Sequence, residues 1–198
     1  GGVEVVAIET VEAPCHLGSG EEVVEVIVAI GTSRGTYVVD ASVAAGAVGA
    51  ALRGALENAA TWKIRHGAHR VFSALSPSSL NGGDEGKGSF FAPRSTFDTQ
   101  LAHELLSGDA FADRDDMLRQ LGVAKPDRLR GGGGARHQQE NAARTVAALV
   151  AAGERLRETL TDDHVLAVGA ASDRRVEAAL RTGVNYRSNK KREIGTAV

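Results

Sequence analysis

Residues 21–60 read EEVVEVIVAIGTSRGTYVVDASVAAGAVGAALRGALENAA, and this stretch decides the fold. Residues 23–30 are apolar except for Glu25, and residues 36–39 are rich in β-branched and aromatic side chains. Residues 31–35 between them form a short segment with a glycine at each end. Two β-type runs around such a turn predict a β-hairpin.

A helix is predicted directly after the hairpin. Residues 43–60 place Val48, Leu52 and Leu56 four apart, and therefore on one face of a helix. Alanines and glycines surround this stripe. Each glycine lowers helix propensity by about 1 kcal/mol, but it also lets a helix backbone approach a sheet closely. We therefore predict that this helix lies flat across the hairpin.

The N-terminal part of the chain is predicted to have the order βββα, since residues 3–11 are β-rich and form a first strand. This order predicts an α+β or α/β domain in which helices cover one sheet. Residues 36–42, followed by the alanine-rich helix, resemble the strand-to-helix part of certain ribosomal-protein-like domains. The resemblance covers about a fifth of the chain, and a shared fold unit alone does not carry function.

Length and composition set the outer limits of the interpretation. The 198 residues can bury a sizeable core, and we predict a single domain over residues 1–198. The formal net charge of −2 does not by itself indicate a nucleic-acid or membrane partner. The sequence shows neither an apolar run long enough for a membrane span nor a secretory signal. Cys15 is the single cysteine, so no intrachain disulfide is expected, and we expect a cytoplasmic, reducing location.

Residues 61–75 are predicted to be helical, with a break at Gly67. A metal site here would need a third ligand beside His66 and His69. The candidates are all distant in sequence, so we predict no metal site, and they are Asp84, Asp98, His103 and Glu104. The alternatives are a helix with a solvated polar face, or a basic rim beside an exposed Trp62 that suits phosphate or nucleic acid. That rim would consist of Lys63, Arg65, His66, His69 and Arg70.

The longest segment without periodicity covers residues 76–93 and contains Lys87. Irregular loops of this length in a compact domain are usually functional or disordered. Its glycines permit backbone conformations in which amide groups face a ligand. We expect the loop to be mobile until a partner binds.

A second glycine-rich segment, residues 130–135, precedes the longest predicted helix. It begins with Arg130 and is followed by Arg136. A loop of this kind at a helix N-terminus can bind phosphate through amide groups and the helix dipole. However, no strand leads into it, and four consecutive glycines are more typical of a flexible connector. Both interpretations stay open, with the connector favoured.

Two short helices are predicted between these glycine-rich segments. The first begins at Ser95, with Asp98 three residues further on as a variant of the capping box, and ends at Gly108. The second is capped by Asp113 and ends at Gly122.

The last third of the chain is predicted to contain a long helix, a strand and a further helix. Residues 164–170 form the candidate buried strand, and Ser172 is expected to cap the helix that follows it. The long helix covers residues 138–160, and its apolar stripe is made of Ala142, Val146, Leu149, Gly153, Leu156 and Leu160.

The C-terminal tail, residues 184–198, is basic and lacks apolar periodicity. Tyr186 lies among basic residues, so that it could stack a base while its neighbours hold phosphates. The alternative is a solvated basic terminus that pairs with the acidic middle of the chain. The basic neighbours are Arg187, Lys190, Lys191 and Arg192.

Three classes of function remain open. The first is a protein that binds RNA or DNA through a split basic surface, and the second is an enzyme acting on a phosphorylated or anionic small molecule held by the glycine-rich loops. The third is a subunit of a larger assembly or homo-oligomer. The sequence identifies neither a cofactor nor catalytic residues. The predicted nucleic-acid or anion contacts are Lys63, Arg65, Arg70, Lys87, Arg130, Arg136, Tyr186, Arg187, Lys190, Lys191 and Arg192.

Overall fold

The fold is a mixed five-stranded sheet with helices packed on both faces, which confirms the predicted α+β class. It is seen in a computed structural model that describes residues 4–16, 22–40, 45–67, 93–109, 113–126 and 135–182. Among these residues, no helix is both long and apolar enough to cross a membrane.

The central strand of the sheet is β1, and the strand order is β3-β2-β1-β4-β5. On one side of β1 the neighbours β2 and β3 pair antiparallel, and on the other side β4 and β5 pair parallel. Antiparallel strands need only a hairpin between them, whereas parallel strands need a crossover. The strands are β1 (Glu4–His16), β2 (Glu22–Thr32), β3 (Gly35–Asp40), β4 (Thr61–Arg65) and β5 (Thr96–Asp98).

The predicted hairpin is confirmed as β2 and β3. Its turn is closed by the side chain of Thr32, which accepts a hydrogen bond from the Arg34 amide at 3.1 Å and donates one to the Gly35 carbonyl at 3.1 Å. Gly35 has a φ of 153°, which an L side chain rarely adopts. The predicted helix after the hairpin is confirmed as α1, and it forms part of the crossover between β3 and β4. The helices are α1 (Ala45–Glu57), α2 (Thr99–Ser107), α3 (Arg114–Gln120), α4 (Ala135–Thr159) and α5 (Asp162–Thr182).

One face of the sheet is covered by α1 and the C-terminal half of α5. Leu56 is buried with Ile8 and Val28, and Val48 and Leu52 pack against the same cluster. These are the three helix positions that the sequence placed on one face, so the packing of this face on the sheet is confirmed. The predicted position across the hairpin is confirmed for β2 only, because the described strand residues of this cluster come from β1 and β2 and not from β3.

The other face is covered by α4, whose predicted apolar stripe is buried as expected. Two glycines let this helix approach the sheet. A Cβ atom on Gly31 of β2 would lie 3.0 Å from the backbone oxygen of Val146. A Cβ atom on Gly153 of α4 would overlap the side chain of Ile64. Both contacts therefore require the absence of a side chain.

Two predicted helix ends are confirmed. Gly108 has the left-handed conformation with a φ of 72°, and its amide donates to the Glu104 carbonyl at 2.8 Å. The side chain of Asp113 accepts from the Asp116 amide at 2.8 Å at the start of α3.

The predicted helix over residues 61–75 is wrong for its described part, because residues 61–65 form strand β4. This strand pairs with β1 on one side and β5 on the other, and both of its faces are covered. Buried parallel strands usually consist of apolar residues. Lys63 and Arg65 interrupt such a run, so the sequence did not indicate a strand here. The helix predicted from Ser95 in fact begins at Thr99, since Thr96–Asp98 form β5 and Asp98 is the N-cap.

The predicted strand over residues 164–170 is also wrong, because these residues lie in α5. The side chain of Thr161 accepts a hydrogen bond from the His164 amide at 3.3 Å, so the polar residues 161–163 after α4 form the start of the next helix. Val165, Val168 and Val176 are buried at helical spacing, and this period of three and four outweighs the β propensity of valine.

Three predictions fall wholly or almost wholly on residues outside the described ranges. These are the loop over residues 76–93, of which only residue 93 is described, the connector over residues 130–135, of which only Ala135 is described, and the tail over residues 184–198.

Candidate functional site

Three charged side chains interact electrostatically near the point where the parallel pairing of the strands ends. Because β1, β4 and β5 run in the same direction, their carboxyl ends lie at one edge of the sheet. Arg65, the last residue of β4, is in register with Asp98, the last residue of β5. Glu9 lies on β1, two residues beyond its last pairing with β4 at Ala7. Glu9, Arg65 and Asp98 are hereafter called the strand-end cluster.

Arg65 is the centre of the strand-end cluster and has no exposed surface. Its Nε donates a hydrogen bond of 3.0 Å to the carbonyl of Ile8 on the neighbouring strand. Burial lowers the pKa of Arg65 to about 10, and the carboxylates of Glu9 and Asp98 act in the opposite direction. The guanidinium therefore remains charged at neutral pH, held in the interior by acidic neighbours.

Asp98 is fully buried and is engaged by backbone groups. Its Oδ1 accepts hydrogen bonds from the amides of Gly67 at 2.9 Å and Gln100 at 3.0 Å, which fix the segment after β4 and the first turn of α2. Its own amide donates to Ser172 Oγ at 3.0 Å. These bonds give Asp98 a fixed orientation within the protein.

Glu9 also lines a cleft between the sheet, α3 and α4. Its Oε2 lies 3.7 Å from Nη1 of Arg114, and the side chains of Arg114 and Glu9 are 26% and 17% exposed. Glu9 thus connects the buried strand-end cluster to a surface that a ligand can reach.

The cleft has a volume of about 450 Å³. From α4 it receives side chains at positions 138, 141, 142 and 145, which share one helix face. Its charges are mixed, and Asp115 is already paired with Lys125 at 2.8 Å. Uncharged hydrogen-bonding side chains lie beside these charges and beside three apolar residues. Its lining is Glu9, Thr10, Val11, Arg114, Asp115, Pro126, Gln138, Asn141, Ala142 and Thr145.

A second buried cation lies two residues before Arg65 on the same strand. Lys63 is 1% exposed, and its Nζ donates to the carbonyls of Asn58 and, at 2.6 Å, Arg94. Burial lowers the pKa of Lys63 to about 8, and the carboxylate of Asp173 acts to raise it. Lys63 therefore ties the connections on either side of β4 together.

The outer edge of β5 is closed by α5. Asp173 accepts from the amide of Thr96 at 2.9 Å and from that of Ser95 at 3.3 Å, while Ser172 accepts from Asp98. An edge strand normally leaves such amides open to pairing with another strand. Here side chains of one helix take that place.

The basic rim predicted beside Trp62 is described only for residues 63, 65 and 66. Lys63 and Arg65 are buried, whereas the prediction had them exposed for phosphate contacts. The ring of Trp62 stacks on Phe97 with centroids 5.3 Å apart, and the guanidinium of Arg157 lies 5.3 Å from its centroid. Trp62 is therefore half-buried, and its ring already has partners within the protein.

The other predicted contacts are mostly outside the described ranges. Arg136 is described, and it is exposed at the start of α4 with its Nε 3.4 Å from Glu140. The predicted contacts that lie outside are Arg70, Lys87, Arg130, Tyr186, Arg187, Lys190, Lys191 and Arg192.

Glu9 and the polar face of α4 were not predicted as functional candidates, and Asp98 was considered only as a distant metal ligand and as part of a helix cap. A signal existed for two of them, since Glu9 and Asp98 each follow an apolar strand residue. That signal has meaning only when the strands are known to be parallel and adjacent. The pairing of β4 with β1 and β5 was not predicted, so the cluster could not be assembled from sequence.

Sequence comparisons assign no family to this chain: no protein-family model matches it, and no curated protein shows significant similarity to it.

Solved structures do share the fold. NrnC from Brucella melitensis, solved with bound Mg²⁺, superposes with a TM-score of 0.62 at 17% identity, covering 90% of this chain and 86% of that one. Escherichia coli RNase D, described as an exoribonuclease involved in structured RNA processing, gives a TM-score of 0.57 at 14% identity. The match covers 90% of this chain but only 44% of RNase D.

Trypanosoma brucei RNase D is a further neighbour, with a TM-score of 0.55 at 14% identity and coverage of 90% of this chain and 66% of that one. Its complex with GMP gives a TM-score of 0.53 at 14% identity, and it covers 89% of this chain and 57% of that one. This chain therefore has a fold shared with RNase D and NrnC. The ribosomal-protein-like resemblance of the N-terminal unit is only a weak analogy beside these matches.

Proposed function

We propose that this chain is an RNA-associated protein and that RNA contacts the cleft beside Glu9. The observation that carries the proposal is the fold, which over 90% of the chain is shared with Escherichia coli RNase D, described as an exoribonuclease, and with the NrnC and Trypanosoma brucei RNase D neighbours. One of these neighbours was solved as a complex with GMP, so this fold can hold a ribonucleotide.

The chemistry of the cleft supports contacts to bases and ribose more than to phosphates. Gln138 and Asn141 bear amide groups that both donate and accept hydrogen bonds, and Thr145 adds a hydroxyl. Such groups can recognise base edges and the ribose 2′-hydroxyl, which distinguishes RNA from DNA. Arg114 is the cation that lines the cleft, and it lies beside Glu9.

Phosphate contacts must then come mainly from elsewhere. The basic tail with Arg187, Lys190, Lys191 and Arg192 is the strongest candidate in the sequence, and Arg136 is exposed at the start of α4. Neutralising phosphates with such side chains releases counterions, so RNA affinity should fall steeply with salt.

Gln138→Ala tests the cleft. It should weaken the binding of a labelled single-stranded RNA about fivefold, since a lost hydrogen bond costs on the order of 1 kcal/mol. Gln139→Ala is the matched control, because it makes the same change on the neighbouring helix position outside the cleft. Fluorescence anisotropy with RNA and with DNA of the same sequence measures both effects. Equal affinities for the parent and both variants would reject the cleft, and an absence of RNA binding by the parent would reject the proposed function.

A further inference from the structure

We propose that Arg65 is the resident cation of the strand ends, and that this chain binds RNA without a divalent metal ion at Glu9 and Asp98. The RNA part of this inference rests on the proposed function, whereas the assignment of Arg65 stands on the geometry alone. The question arises because NrnC, which shares the fold, was solved with bound Mg²⁺.

The position of Arg65 disfavours a divalent ion at these carboxylates. Carboxylates gathered at the ends of parallel strands would ordinarily attract a hard cation such as Mg²⁺, which prefers oxygen ligands. Here a guanidinium without exposed surface is anchored at 3.0 Å to the Ile8 carbonyl, next to Glu9 in the chain, and it is in register with Asp98. A divalent ion at the same carboxylates would be repelled by this fixed charge at short range in the protein interior.

The hydrogen bonds and neighbours of the two carboxylates also disfavour a bound Mg²⁺. Mg²⁺ demands near-octahedral geometry and keeps several waters. Asp98 is fully buried, and its Oδ1 accepts from two backbone amides. Glu9 lies beside Arg114 as well as Arg65. In the described part of the chain, no three His, Cys, Asp or Glu side chains lie together in a way that could hold a metal ion.

The charges of the strand-end cluster also oppose the recruitment of a divalent ion. Among the described residues, Arg65 and Arg114 oppose the negative charges of Glu9 and Asp98. The strand-end cluster is therefore neutralised by the protein itself, and it does not require a bound ion in order to be buried. The same arrangement removes the electrostatic attraction by which acidic strand ends recruit Mg²⁺.

Thermal denaturation of the parent with and without MgCl₂ tests this assignment. With KCl as an ionic-strength control, the melting temperature should respond equally to both salts. A Mg²⁺-specific rise in the parent that disappears in Glu9→Gln would overturn the proposal. This comparison does not depend on whether any substitution at Arg65 folds.

Two substitutions at Arg65 sharpen the test. Arg65→Met removes the charge and keeps much of the volume, so the freed carboxylates should now give a Mg²⁺-specific rise in melting temperature. Arg65→Lys is the matched control, because it retains a cation and should give no such rise. A folded Arg65→Met protein that shows no Mg²⁺-specific rise would contradict the role of Arg65 in excluding the ion.

RNA binding in EDTA separates this inference from the proposed function. The parent should bind labelled RNA equally well in EDTA and in MgCl₂ at matched ionic strength, and MgCl₂ should not cause the RNA to shorten. RNA shortening that requires MgCl₂ and is lost in Glu9→Gln would overturn the metal-free assignment while supporting an RNA function. A failure to bind RNA in either buffer would instead reject the proposed function and leave the melting data to decide the role of Arg65.

Discussion

At the scale of single residues, the notable feature is a pair of cations on a buried strand. Lys63 and Arg65 are two residues apart on β4 and therefore point to the same side of the sheet. Each is compensated, Lys63 by backbone carbonyls and Asp173, and Arg65 by Ile8, Glu9 and Asp98. Burial of a charge is tolerated only with such partners. Lys63 and Arg65 therefore connect neighbouring segments through hydrogen bonds and charge interactions, whereas apolar side chains would connect them only by packing.

Lys63 should make stability depend on pH. Its pKa is about 8 in the folded protein, against 10.5 for an ordinary lysine. Between these values the unfolded chain binds the proton and the folded protein does not, so the free energy of unfolding should rise with pH in this window. In Lys63→Met this contribution is absent. Urea unfolding of both proteins from pH 7 to pH 10 measures the difference.

The exposed Lys125 provides the control for that experiment. Lys125→Met removes a lysine whose side chain is 53% exposed, and it controls for the loss of one lysine charge at the surface. If the parent and Lys63→Met show parallel curves across the window, the folded-state pKa of Lys63 is not lowered. The pKa of Arg65 lies higher, at about 10, so its effect begins only at the end of this range.

Arg65→Met should also be costly for stability. Removing one partner from a buried ion network leaves the remaining charges uncompensated, which typically costs about 3–5 kcal/mol. Arg53→Met is the matched control, because it breaks a surface pair with Glu57 on α1, and such pairs contribute about 0–1 kcal/mol. Chemical denaturation of both variants gives the two values. Equal losses would show that Arg65 is not part of a buried network.

At the scale of secondary-structure elements, the approach of α4 to the sheet depends on Gly31 and Gly153. Gly31→Ala places a methyl group against the backbone of Val146, which cannot move as a flexible side chain could. We expect a loss of about 1–3 kcal/mol, which is typical of overpacking. The free energy of unfolding from urea titrations measures this loss.

Gly54→Ala is the counterpart, because a Cβ atom at Gly54 would meet no atom within 4 Å in the described structure. Replacing a helix-interior glycine by alanine should stabilise the protein by roughly 0.5–1 kcal/mol. A Gly31→Ala protein as stable as the parent would indicate that α4 lies further from β2 than the structure shows.

Elements with a local signature were predicted well from the sequence. The β2–β3 hairpin, α1 and α4 each have a turn or an apolar period within their own residues, and the structure confirms all three. Strand β4 has no such signature, because it is short and charged and owes its conformation to distant strands on both sides. The valines of α5 favoured a strand locally, although their longer spacing fits a helix.

The strand-end cluster shows the same limit for the site. Glu9, Arg65 and Asp98 come from three strands separated by long stretches of chain, so their proximity follows from topology alone. The cleft likewise joins β1 to α3 and α4. The basic tail, by contrast, is a local feature of composition, and it remains a prediction from the sequence.

At the scale of the whole molecule, RNA binding would divide between a polar cleft and basic segments elsewhere. Replacing four basic residues of the tail by alanine should weaken RNA binding and flatten its dependence on salt, because fewer counterions are released. Folding should barely change. Titrations of labelled RNA at two salt concentrations, with melting curves for stability, measure both expectations. The four substitutions are at Arg187, Lys190, Lys191 and Arg192.

A control for total charge is needed in this experiment. Four arginines from the described surface can be replaced together, at positions outside the predicted contacts, namely Arg34, Arg53, Arg174 and Arg175. This variant loses the same charge as the tail variant. If both variants bind RNA equally weakly, net charge explains the effect and the tail has no special role.

The closure of β5 by α5 has a consequence for the order in which the protein can be completed during synthesis. The acceptors for the Thr96 and Asp98 amides lie 77 and 74 residues later in the chain. While a ribosome is still adding those residues, the last strand of the nascent sheet has an open edge that could pair with a strand of another nascent chain. Once Ser172 and Asp173 have emerged, their side chains can accept from the amides of β5 and close this edge. Strand pairing between neighbouring nascent chains on one messenger RNA is therefore possible only until α5 has been made.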